Sequence, residues 1–81
     1  IGTLNKSTVH PREIFKEAVK HSSNSIIIIH NHPSGAVSPS LSDEVFTDKL
    51  IDLGKLMDIP VIDHIIIGNN KYVSFKEERL I

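Results

Sequence analysis

Ile26-Ile27-Ile28-Ile29-His30-Asn31-His32-Pro33 is the stretch on which the reading of this chain turns. Four consecutive β-branched residues form too short a run for a helix. They are apolar on both sides of a pleat, as in a central strand covered on both faces. The strand ends in His30-Asn31-His32-Pro33. Successive side chains of a strand point to opposite faces, so His30 and His32 project the same way, with Cβ atoms roughly 6 to 7 Å apart.

Upstream, Ile1 to Leu4 reads as the end of a strand and Asn5-Lys6-Ser7-Thr8 as a polar turn. A helix is expected from Pro11, which suits a first helical position, to about His21. Ile14, Phe15, Ala18 and Val19 form its apolar face, and Ser22-Ser23-Asn24 breaks it. Downstream, Ser34 to Pro39 is small and turn-rich, so the chain leaves the sheet as a loop. A second helix follows from about Leu41 to Met57, with Phe46, Leu50, Leu53 and Met57 at helical spacing. Pro60 opens a strand through Ile67, Gly68-Asn69-Asn70 is a turn signal, and Lys71 to Phe75 returns as a short antiparallel strand. The order β-α-β-α-β-β predicts a small α/β layer fold with a mixed sheet.

The chain has 81 residues, enough for a single small domain. At that size, folding buries about 60 to 65% of the surface the unfolded chain exposes. With 40% hydrophobic against 23% charged residues, the composition is that of a packed protein. No cysteine is present, so any metal must use nitrogen and oxygen ligands, and a reducing, cytoplasmic setting fits. No apolar stretch approaches the roughly 20 residues of a membrane span, and no signal-peptide pattern opens the chain. A net charge of −1 and a pI near 6.6 give nucleic acid no evident grip on this domain. The first residue is Ile rather than Met, so a partial domain of a longer protein is expected, with earlier strands upstream.

His30 and His32 can reach a shared zinc ion at about 2.0 to 2.1 Å each, and Asp43, in the first turn of the second helix, can supply a third ligand. Two imidazoles and a carboxylate leave a coordination position open to water, the mark of a catalytic rather than a structural zinc. Hydrolysis of an amide is the natural chemistry, with Ser40 as donor to the water or to the developing oxyanion.

The stretch from His30 to Asp43 resembles the JAMM motif of MPN-domain metalloproteases: His-x-His, then an Asp after ten intervening residues, with Ser40 three before it. Gly2-Thr3-Leu4-Asn5, Val9-His10-Pro11-Arg12-Glu13, His30-Asn31-His32-Pro33-Ser34-Gly35 and Asp63-His64-Ile65-Ile66 are similar to the C-terminal domain of bacterial RadC-family proteins. The resemblance implies an MPN/JAMM fold with cytidine-deaminase-like layering. It also implies zinc on His30, His32 and Asp43, Ser40 hydrogen-bonded at the water, and a peptide or protein substrate. The family's general base, a glutamate on an earlier strand, has no counterpart here: Glu13 and Glu17 fall on the first helix and Glu44 follows Asp43. The RadC name raises DNA repair as a second function, and some MPN-type domains are non-catalytic metal-binding modules.

Simpler readings compete at several positions. Ser40-Leu41-Ser42-Asp43 is also a capping-box pattern, with Ser40 capping the helix and Asp43 bonding back. His10-Pro11 is a helix start. Arg12, Lys16 and Lys20 run beside Glu13 and Glu17 as a solvated face. Asp63 and His64 point to opposite faces of their strand, and each, if buried, needs a hydrogen bond.

Overall fold

The computed structural model describes residues 2–4 and 10–81. The turn expected over residues 5–8 lies outside them. The elements are β1 (Gly2–Leu4), α1 (Pro11–Lys20), β2 (Ile26–Asn31), α2 (Leu41–Met57), β3 (Val61–Gly68) and β4 (Lys71–Ser74). They build a mixed sheet in the order β1-β2-β3-β4, parallel from β1 to β3 and antiparallel between β3 and β4. The expected α/β fold and element order are both found.

Both crossovers, β1-α1-β2 and β2-α2-β3, step the same way along the sheet, which sets their helices on one face. The core lies there: Phe15 and Ala18 of α1 and Leu50 of α2 close over Ile26 and Ile28 of β2 and over Ile59. The other face differs from the expectation of a strand covered on both sides. Ile27, Ile29 and Ile65 are only half-buried and Ile67 is exposed, because among the described residues no helix packs against them.

The helix faces also needed correction. Val19 is exposed, lying about 90° round the axis from the mean direction of Ile14, Phe15 and Ala18. Along α2 the buried stripe is Asp43, Thr47, Leu50 and Gly54, at i, i+4, i+7 and i+11. Phe46 and Leu53 pack at its margin, and Met57, last in the helix, is exposed. Two polar residues and a glycine therefore occupy the line that the apolar residues alone would have claimed.

Gly54 is there for space. A Cβ on it would stand 2.5 Å from the Ile59 carbonyl oxygen, where the chain doubles back through Asp58 at φ 57°. The β3–β4 hairpin turns on Asn69 and Asn70, both with positive φ (49° and 61°), the two-residue turn whose twist matches the strands. No helix among the described residues is long and apolar enough to cross a membrane.

In an open helix, alanine is favoured over glycine by about 1 kcal/mol. Gly54→Ala is expected to reverse that sign and lose about 1–3 kcal/mol by overpacking against backbone, read as a lower urea midpoint at unchanged m-value.

Candidate metal centre

β2 delivers His30 and His32 to the end of the sheet, and the loop of residues 33–39 carries the chain from there to the start of α2. The loop is tied down along its length. His32 N–H donates to the Ile67 carbonyl at 3.0 Å, and Gly35 N–H donates back to the His32 carbonyl at 2.9 Å. Gly35, at φ +84°, passes so close to Gly68 that a Cβ there would meet the Gly35 carbonyl oxygen at 3.0 Å. The His32 ring bonds the loop as well, with Nδ1 2.8 Å from the Ala36 carbonyl oxygen. A carbonyl only accepts, so the ring proton is on Nδ1 and Nε2 is left as a lone-pair donor.

At the start of α2 both halves of the capping box form: Asp43 N–H donates to Ser40 Oγ (3.1 Å) and Ser40 N–H donates to Asp43 Oδ2 (2.9 Å). The box aims the Asp43 carboxylate at the strand end, with Oδ1 3.3 Å from His30 Nδ1 and Oδ2 3.2 Å from His32 Nε2. Ligand atoms at about 2.0–2.1 Å around a tetrahedral ion are roughly 3.4 Å apart, so these separations suit zinc. His30, His32 and Asp43 offer donor atoms that all lie within 4.8 Å of one another, and no glutamate joins the group among the described residues. Burial disfavours the Asp43 anion, yet its carboxyl is held below the usual carboxylate range. The Ser40 backbone N–H and hydroxyl, then His32 and His30, outweigh the burial.

The Asp63-His64 pair divides its work. Asp63 Oδ1 accepts from the N–H groups of His64 (2.7 Å) and Lys76 (3.0 Å), and Oδ2 accepts from Ser74 Oγ (2.5 Å). It thereby fastens the segment after β4. His64 is buried at 1% exposure on the helix side. Its Nδ1 is 2.5 Å from Thr47 Oγ1, and Thr47 Oγ1 also donates to the Asp43 carbonyl at 2.8 Å. His64 thus has the hydrogen bond expected of it if buried, through Nδ1, while its Nε2 has no partner. Thr47 itself was missed in the sequence; its only signal was spacing, one turn after Asp43 and in line with Leu50. His10 caps α1 by backbone conformation alone, without a side-chain bond, and Arg12, Lys16 and Lys20 are exposed as expected.

A parallel-stranded α/β domain that gathers a His-x-His strand end and a helix-capping Asp into one donor group has the architecture of a JAB/MPN-type domain. The profile of the RadC-like JAB domain matches residues 1–80, and the chain belongs to that family. A UPF0758 protein of Clostridioides difficile is 56% identical over the whole chain, which covers 34% of that relative. A UPF0758 protein of Methanosarcina mazei is 58% identical over 96% of the chain, again 34% of the relative's length. One of Staphylococcus carnosus is 56% identical over 95% of the chain and is covered to 34%. The chain thus spans about a third of these relatives.

Burial pushes His64 down to about 4, below the ordinary imidazole value of 6.5. An unfolded chain protonates His64 near pH 6.5 while the folded chain resists until about pH 4, so between those values acid favours unfolding. The stability this group confers is whole above pH 6.5 and gone by pH 4, of order 3 kcal/mol. In metal-free protein, His64→Asn should flatten the fall in urea-unfolding free energy across that window.

Proposed function

We propose that this domain holds a catalytic zinc for a JAMM-type hydrolase acting on an amide bond of a peptide or protein, peptide or isopeptide. The observation that carries the reading is the convergence of His30 Nδ1 and His32 Nε2 on the Asp43 carboxylate, at 3.3 and 3.2 Å, with all three donor atoms within 4.8 Å of one another. A zinc ion there would supply a Lewis acid that lowers the pKa of water towards neutrality.

Each protein residue has a part that its hydrogen bonds prepare. His32 is held in the tautomer that turns a lone pair inward by its bond to Ala36. Asp43 is kept ionised by Ser40. Ser40 has a double role: capping uses an oxygen lone pair of its hydroxyl, accepting from Asp43 N–H, while its single proton, which favours the Asp43 anion in the chain alone, would turn to a substrate oxygen in the reaction. The family motif's general-base glutamate has no counterpart at its position in this chain, which spans about a third of its relatives, so in this reading these residues do the zinc-holding part of the chemistry. The absence of cysteine donors fits work in the cytoplasm.

The test is metal analysis after growth with zinc. The unmodified chain should carry a single zinc and His32→Ala should lose it. A zinc-free unmodified chain overturns the reading. In the longer protein, Asp43→Ala should abolish cleavage of isopeptide- or peptide-linked substrates. Ser40→Ala should keep the zinc, lose about 1 kcal/mol of stability through the missing cap, and slow turnover by about 100-fold or more through the missing donor.

A further inference from the structure

We infer that Thr47 and His64 are positioning residues for the donor group, a buried bridge that sets the Asp43 turn of α2 and backs the His30 ring; the inference rests on the zinc reading above. Thr47 and His64 are each 1% exposed, beside Leu50 and Ile66 at 0%. Polar side chains in such a core are unfavourable unless their hydrogen bonds are made. The Thr47 hydroxyl has a single proton and donates it to the Asp43 carbonyl. It therefore accepts from His64, whose ring proton is on Nδ1.

That assignment leaves Nε2 deprotonated, buried and without a partner. An apolar side chain of similar size would fill the place and orphan no atom. What the histidine adds is a link from β3 to the carbonyl of the residue whose carboxylate faces His30 and His32. It also adds a stacking surface. The His64 ring stacks on Phe75 (centroids 4.5 Å apart, 21° between planes) and on His30 (6.0 Å, 27°), and His30 meets His32 edge-on at 4.8 Å. The bridge thus touches the donor group twice, through the Asp43 backbone and through the His30 ring. Losing it would let α2 turn about its axis and His30 lean towards the vacated space.

Cobalt(II) titrated into the chain tests this, with d–d absorption reading affinity and coordination geometry and the thermal midpoint of the metal-free protein taken alongside. Thr47→Val keeps the shape and deletes the hydroxyl, His64→Leu deletes both ring nitrogens, and His64→Asn restores an N–H near the Nδ1 position. Thr47→Val and His64→Leu are expected to weaken cobalt binding by about 10- to 100-fold and to change the absorption bands, while His64→Asn recovers most of the affinity. The Thr47→Val/His64→Leu double variant leaves no group orphaned, so it should recover metal-free stability relative to the singles while its affinity stays low. A purely structural role would not split the two readouts in that way. Should His64→Leu fail to fold, Thr47→Val reads the same bridge. Unchanged affinity and bands in Thr47→Val overturn the inference and leave the zinc reading standing; no cobalt binding by the unmodified chain overturns both.

Discussion

Asp43 closes the first turn of α2 through Oδ2 and, with the same carboxylate, faces both histidines at the end of β2. The two requirements are compatible because an aspartate side chain is short. At the third helical position it reaches back to the N–H of Ser40 and no further, so backbone geometry fixes where its charge sits. A longer arm would cap as well but would carry several rotamers into the site. The helix N-terminus adds to this, since its unpaired N–H groups favour negative charge in the first turn. The carboxylate stays ionised at 7% exposure, where burial alone would favour its protonated form.

For such a helix start to meet the strand end, the intervening loop must have a fixed path. Three anchors supply it: the backbone bonds of His32 and Gly35, the close passage of Gly35 over Gly68, and the His32 ring on the Ala36 carbonyl. The last anchor acts on the donor group directly. The bond that pins the loop also selects the imidazole tautomer, so loop order and ligand readiness are one property. The β3–β4 turn belongs to the same arrangement, because Asn69 stands where a Cβ on Gly35 would meet it at 3.0 Å.

Much of this was legible in the sequence, and the parts that were not share a cause. The isoleucine run, the Pro11 start, the Asn69-Asn70 turn and the His-x-His to Asp43 spacing are local patterns, and each marked its element within a residue or two. The capping box was legible too, as a rival to catalysis, and both of its hydrogen bonds form. The buried face of α2 was misjudged because Thr47 and Gly54 are buried for partners far along the chain, His64 and the Ile59 carbonyl. Asp63 was opaque for the same reason, its side-chain bonds running to Ser74 and Lys76. Apolar periodicity reports which residues avoid water. It does not report which polar residues have found a partner inside.

The placement of the donor group follows from the topology more than from any single residue. In a sheet of parallel strands joined by helices on one face, the carboxyl end of a strand and the amino end of the next helix open on the same side, which is where such folds bind ligands. Here β2 ends in donors with lone pairs and α2 begins with a carboxylate held in its positive end. The group forms between elements adjacent in sequence, needing only the loop of residues 33–39 to bring them together. The Thr47–His64 bridge comes from a strand later in the chain, and it adds what adjacency cannot. The loop sets how far α2 begins from β2, and the bond to His64 sets which side of α2 faces the sheet. A single-turn error in either would leave Asp43 pointing past the histidines.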